Sequence, residues 1–250
     1  MEGPSIYLAA EQLAPFVGEK IKKVSGNSKI GIERLEKERV LSIFSFGKIL
    51  FFQFESFALR VHFLLFGSFQ ATVNEKSVTG DYPKKNRTPR LSLLFRNGSI
   101  EMYSCSVRFM ENANVKELCD FSKDIMSDAW DPKQAFIKIK NFPESEIADI
   151  LLDQDIFAGV GNIIKNEALL LAKVSPLRKI KSLSDKKIKS IIDITKSYVF
   201  QFYHWRKEFV LKKHYQVYRQ SHCKICGEKV IRKKTGFRNR LSFICPNCEK

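Results

Sequence analysis

Two Cys-x-x-Cys turns near the end of the chain, Cys223-Lys224-Ile225-Cys226 and Cys245-Pro246-Asn247-Cys248, are separated by eighteen residues. Two tight turns that each offer two thiolates can close a tetrahedral S4 site, and this spacing falls in the range of zinc ribbons. The pattern predicts a zinc-stapled hairpin with Cys223, Cys226, Cys245 and Cys248 as ligands of a structural Zn2+. Lys224, Lys229, Arg232, Lys233, Lys234, Arg238 and Arg240 lie within or between the two turns, so the metal holds a cationic finger. The other two cysteines, Cys105 and Cys119, stand among apolar neighbours and read as buried reduced thiols, not as a disulfide framework.

Charge follows the same gradient. The whole chain of 250 residues carries a formal +16, and residues 201–250 hold 13 basic side chains against 3 acidic ones. A basic surface concentrated in this way suits a phosphate-rich polymer, and nucleic acid is the favoured partner. The start, Met1-Glu2-Gly3-Pro4, lacks the basic and apolar regions of a signal peptide, and Arg60 and His62 interrupt the longest apolar run. A reducing, cytoplasmic, nucleoid-associated setting is expected. Apolar content is ample for real cores, in one large domain or two of ordinary size.

After Pro4, Ile6, Ala9, Ala10, Leu13 and Val17 recur at helical spacing, which predicts a helix beginning near Ser5. From Ile21 to about Tyr103 the texture changes to short β-rich runs: Val40–Phe44, Ile49–Phe54, Ala58–Phe63 and Leu91–Phe95. Turns fall at Phe46-Gly47-Lys48 and Arg96-Asn97-Gly98, and strands without intervening helices argue for an antiparallel β-sandwich. Asn74–Arg90, with Lys84, Lys85, Arg87 and Arg90 around two prolines, reads as a long exposed connection. Helices are expected at Ser145–Leu152, Ile163–Ala172 and Ser184–Trp205, with Ser145 and Ser184 as N-caps. The expected order is a sandwich over 1–125, a linker at 126–132, a helical domain over 133–216 and the finger over 217–250, an α+β multidomain chain.

The segment Leu151-Leu152-Asp153-Gln154 through Ala158-Gly159-Val160-Gly161-Asn162, with Glu167-Ala168 and Ser175-Pro176-Leu177-Arg178, resembles the helix-two-turns-helix of the formamidopyrimidine-DNA glycosylase and endonuclease VIII family. The finger, an arginine five residues before its third cysteine, Gly3-Pro4, Gly47-Lys48, His62 and Tyr103-Ser104 fall in the same order as in that family. Details are closer to endonuclease VIII. The oxidised-purine branch carries an Asp-Pro-Arg-Arg-Phe-Gly type strand where this chain has Cys105-Ser106-Val107-Arg108-Phe109-Met110, and Trp205–Tyr218 is short for that branch's lesion-covering loop. Oxidised pyrimidines are therefore the expected substrate.

The resemblance implies a monomeric base-excision glycosylase and abasic-site lyase that flips a damaged nucleotide out of double-stranded DNA. It implies that Leu64, Leu65 and Phe66 fill the vacated stack, a run that by composition alone reads as sandwich core. Asn162 and Arg240 would contact phosphates, and Lys48 would contact phosphate and move protons. The family uses an N-terminal amine, usually proline, as nucleophile. In this chain the register Glu-Gly-Pro puts Met1 at the proline's place, with Glu2 as general acid. An α-amine suits that role because its pKa of about 7.7–8.0 lies well below lysine's at about 10.4. Ser5 replaces a glutamate common in the family. The alternative is a zinc protein that binds damaged or abasic DNA and has lost catalysis.

Overall fold

The computed structural model describes residues 1–79 and 87–250. Lys84 and Lys85, read above as part of an exposed connection, lie outside the described residues. The described chain divides into two compact units, one of Met1 and Gly3–Asp120, the other of Glu2 and Phe121–Lys250.

The first unit opens with α1, Gly3–Leu13, whose residues Ile6, Ala9 and Leu13 are fully buried along one stripe. Pro15 helps to end it, because a proline has no N–H for the carbonyl four residues back. Val17, counted above in the helical stripe, lies beyond the short turn Ala14–Phe16 and is exposed. α1 packs on β2 (Ser42–Phe46) and β3 (Ile49–Gln53).

The remaining strands are β1 (Lys23–Ser25), β4 (Ala58–Val73), β5 (Lys76–Thr79), β6 (Leu91–Leu94) and β7 (Gly98–Met110). All join one antiparallel sheet in the order β1-β6-β7-β4-β3-β2, with β5 on β4. β4 and β7 are long enough to belong to both halves of the sandwich. Ala58–Phe63 pairs with residues 105–110 of β7, and Ser68–Val73 pairs with residues 98–103. Leu50, Phe52, Leu59 and Val61 from one half meet Phe69, Leu93, Ile100 and Met102 from the other in a single core. Each of these large apolar side chains contributes about 1.5–3 kcal/mol by leaving water.

Between the two paired stretches of β4, residues 64–67 stand opposite Ser104 alone, four residues against one. Such a bulge bends the strand and aims its extra residues away from the ladder. Leu64, Leu65 and Phe66 are accordingly 48%, 68% and 56% exposed, so they are not core. The stretch 74–90 also differs from expectation, because it contains β5. Asn74 and Glu75 both take positive φ and turn β4 back on itself in two residues, a geometry that asparagine tolerates better than most residues. Cys105 is buried, whereas Cys119 is only half-buried, its thiol near the Val115 carbonyl.

The second unit is helical with a terminal hairpin. Its helices are α2 (Pro132–Lys140), α3 (Ile147–Ile150), α4 (Asn162–Ala172) and α5 (Asp185–Lys207). Asp131 caps α2 by accepting from the N–H groups of Lys133 and Gln134, and Ser184 caps α5 by accepting from Lys187. The helix expected over Ser145–Leu152 shrinks to α3. Its N-cap is Glu146, not Ser145, and the Glu146 carboxylate makes no cap bond; it accepts from the Gly236 N–H instead. β8 (Ile231–Thr235) and β9 (Arg240–Ile244) form the hairpin, with Thr235 opposite Arg240. Among the described residues no helix is long and apolar enough to cross a membrane.

The bulge is tightly fitted. A Cβ on Gly67 would lie 2.8 Å from the Phe63 Cβ and the Ser104 carbonyl oxygen and 2.9 Å from the Phe63 Cα, all part of the β4–β7 framework. Gly67→Ala is therefore expected to cost about 1–3 kcal/mol, the range for overpacking, read as a lower urea midpoint with an unchanged slope.

Candidate functional site

α4 begins at a glycine. In Gly159-Val160-Gly161-Asn162 the N-cap is Gly161, which has no side chain to satisfy the first N–H groups of the helix. The Glu2 carboxylate takes that place within the second unit. Its Oε1 accepts from Ile163 at 2.7 Å, and its Oε2 accepts from Gly161 at 3.2 Å and from Ile164 at 3.3 Å. Three N–H donors at the positive end of a helix dipole make an anion's environment. A Cβ at position 161 would lie 2.4 Å from the Glu2 carboxyl carbon, so any residue larger than glycine would push the carboxylate from this seat. Glu2 is itself buried.

In the first unit, Gly47 and Lys48 form the two-residue turn between β2 and β3, and the next residue, Ile49, pairs with His62 of β4. The His62 imidazole is held below its ordinary range, first by burial, then by the positive charges of Arg60, the Met1 amine and Lys48. These cations are thus within electrostatic reach of one ring. The Met1 side chain packs, half-buried, against the sandwich core. Such a cluster of positive groups on one unit favours an anionic ligand.

One face of α4 carries the finger. Asn162 donates from Nδ2 to the Leu241 carbonyl at 2.9 Å. Lys165 donates from Nζ to the Ser242 hydroxyl at 2.7 Å, and Asn166 Oδ1 accepts from the Phe243 N–H at 2.8 Å. Successive residues of β9 are therefore held by successive polar side chains of one helix, and Arg240 stands exposed just before them. Asn162 Oδ1 is buried without a partner among the described residues, so its amide nitrogen serves the finger. Further along α4, Glu167 accepts from the N–H groups of Gln216, Val217 and Tyr218, while burial pushes its carboxyl up.

Sequence patterns give no role to Lys165 or Asn166, and mark Glu167 only as part of the helix-two-turns-helix resemblance. The available signal was three consecutive polar residues inside the apolar run Ile163–Ala172, where polar groups stay only if they find partners. Asp149 was missed as well. Its carboxylate, almost fully buried, accepts from the N–H groups of Phe237 and Arg238 at the hairpin tip.

The sulfur atoms of Cys223, Cys226, Cys245 and Cys248 all lie within 4.8 Å of one another. A tetrahedral zinc site with bonds of about 2.3 Å needs sulfurs roughly 3.8 Å apart, so the four thiols fit that geometry. The N–H of Glu228 lowers the Cys226 thiol to about 6. Cys248 is pushed up to about 12 by its hydrogen bond with Cys226. The Cys245 N–H donates to the Glu249 carboxylate at 2.6 Å, which fixes the second turn.

Residues 113–201 match the family model described as the formamidopyrimidine-DNA glycosylase H2TH domain. Endonuclease 8-like 3 of Xenopus laevis is 32% identical over 237 residues, covering 92% of this chain and 36% of that protein. Endonuclease 8-like L720 of Acanthamoeba polyphaga mimivirus is 40% identical over 122 residues, covering 44% of this chain and 41% of its own length. The chain thus spans well under half the length of these relatives. Among solved structures, Lactococcus lactis formamidopyrimidine-DNA glycosylase bound non-covalently to DNA containing an abasic site matches with a TM-score of 0.84, at 22% identity and full coverage of both chains. A viral DNA glycosylase matches over both full chains with a TM-score of 0.83, also at 22% identity.

The buried Lys165 gives a pH test of the α4–β9 contact. Burial, then the Arg240 charge, lowers its ammonium from 10.5 to about 8, so the unfolded chain binds that proton more tightly than the folded one. Folding at pH 7 therefore carries a penalty of about 3 kcal/mol, which fades as pH rises from about 8 to about 10.5. Lys165→Met is expected to be more stable than the parent in urea at pH 7, by about 1–3 kcal/mol after loss of the Ser242 hydrogen bond. That advantage should shrink across the same pH window.

Proposed function

Because this chain belongs to the formamidopyrimidine-DNA glycosylase and endonuclease VIII family, we propose that it is a base-excision DNA glycosylase with abasic-site lyase activity on oxidised pyrimidines. The observation that carries this reading is the seat of Glu2. A carboxylate one residue from the Met1 amine takes three N–H bonds at the start of α4, so the chain's first acid is fixed in place.

In the proposed reaction the neutral Met1 α-amine attacks C1′ of a flipped nucleotide, and the bond from C1′ to the base breaks. Glu2 relays a proton from the attacking amine to the sugar ring oxygen, while the base leaves with the bonding electron pair as its anion and takes a proton from solvent. Ring opening leaves a Schiff base between Met1 and C1′. Loss of a proton from C2′ then expels the 3′ phosphate, with Lys48 as a proton-transfer participant. Leu64, Leu65 and Phe66 fill the space of the flipped nucleotide; their exposure on the β4 bulge supports this, since apolar residues held in water gain by entering a base stack. Asn162 and Arg240 position the damaged strand, Arg240 by charge and Asn162 chiefly by holding the strand that follows it.

Preference for pyrimidine lesions is supported by Val107. It is buried in the sandwich core opposite Val61, and its side chain has no group with which to hydrogen-bond the base left unpaired. The four clustered cysteines would hold a Zn2+ whose contribution is structural, the folding free energy of the finger. Arg240 and the base of the hairpin depend on that staple.

A second reading, a damage-binding protein without catalysis, is favoured by the methionine at the nucleophile's position and by the buried Ser5. Borohydride reduction separates the two. The enzyme reading expects a covalent adduct on thymine-glycol duplex DNA, placed at the Met1 amine by mass spectrometry, and a loss of about 10²–10⁴-fold in rate for Glu2→Gln. Tight abasic-site binding with no adduct between about pH 6 and 9, a range that brackets the α-amine pKa, would select the binder.

A further inference from the structure

The tip of the finger presents a fixed aromatic ring to solvent. Gly236-Phe237-Arg238-Asn239 joins β8 to β9, closed by the Asn239 N–H donating to the Gly236 carbonyl at 3.1 Å. Gly236 N–H donates to Glu146 at 2.7 Å, Phe237 N–H to Asp149 at 2.8 Å and Arg238 N–H to Asp149 at 3.2 Å. The turn is thereby bolted to α3 and the residue before it. Phe237 nevertheless is 77% exposed, the highest value among the exposed large apolar residues described.

These bonds decide what the tip can recognise. Three consecutive amide N–H groups would ordinarily form a cradle for phosphate. Here the protein's own carboxylates fill it, so the backbone of the turn has nothing left to offer an anion. What remains on the outer side is a ring with the Arg238 guanidinium 5.0 Å from its centroid. Exposed Lys233, Lys234 and Arg240 lie on the strands that lead to it. An apolar partner surface or a lipid tail gains nothing from that charge. A strand of nucleic acid matches both features, with phosphates for the cations and a flat base for the ring. Within an intact duplex the base faces are stacked on one another, so the base concerned must be unpaired.

We propose that Phe237 is a stacking platform for an unpaired nucleobase, a base-binding subsite on the finger separate from the phosphate contact assigned to Arg240. The inference rests on the DNA-binding reading above and deepens it. It makes the finger sense interrupted or single-stranded DNA as well as backbone charge.

Stacking and charge respond differently to salt, which supplies the test. The full chain, zinc-loaded, is titrated with a single-stranded oligothymidylate and with a strand of equal length built from base-free tetrahydrofuran nucleotides, each at several salt concentrations. Phe237→Ala is expected to weaken the base-bearing strand by roughly 5- to 100-fold, from about 1–3 kcal/mol per stacked base. It should leave the base-free strand and the slope of log affinity against log salt unchanged, and Phe237→Trp should restore binding. Arg240→Ala should instead weaken both strands and flatten the slope. If the parent binds both strands and Phe237→Ala matches it on each, weakens both alike, or is not rescued by tryptophan, the stacking site is overturned and the wider reading stands. If the parent binds neither strand nor damaged duplex, both fall together.

Discussion

The second unit is arranged around one carboxylate seated on one helix end. Gly161 leaves the first N–H groups of α4 without a side-chain cap, and Glu2 supplies the anion that satisfies them. Neither partner suffices alone. A helix end buried without acceptors would leave several polar groups unpaired, and a buried carboxylate without donors would not stay ionised. Together they tie a residue at the start of the chain to a loop some 160 positions later.

The same helix organises the other end of the unit. Asn162, Lys165 and Asn166 hold Leu241, Ser242 and Phe243 of β9, while Glu167 gathers the N–H groups of 216–218. α4 therefore carries Glu2 at its N-terminus and the finger along one side, so the distance from Glu2 to Arg240 is set by a rigid element and not by a loop. Asp149 and Glu146 add a second attachment at the hairpin tip. The finger is held at its tip and along β9 by hydrogen bonds, and its base carries the thiol cluster suited to a metal.

In the first unit the corresponding device is the β4 bulge. Four residues against one cannot stay in the ladder, so Leu64, Leu65 and Phe66 leave it, and the sheet folds over its core at the same place. A single irregularity thus shapes the sandwich and exposes three apolar side chains. Periodicity could not reveal this, because an apolar run reads the same in a core strand and in a bulge. The distinction depends on how many residues the partner strand places opposite, which is a fact about β7.

By itself, the sequence was enough to identify the features whose causes are local. The thiol spacing specified a four-cysteine cluster, the Ser184 cap and apolar period specified α5, and the β-rich runs specified an antiparallel sandwich. Motif order, through the family resemblance, singled out Glu2, Asn162 and Arg240 as candidates. The tertiary structure decided what those residues touch. It put Glu146 in place of Ser145 at the start of α3, with the Glu146 carboxylate turned to the distant Gly236 N–H. It engaged the Asn162 amide with Leu241, and it revealed Lys165, Asn166 and Asp149 as the groups that hold the finger. Each of these depends on a partner between about 75 and 90 residues away, and no local pattern encodes a hydrogen bond at that range.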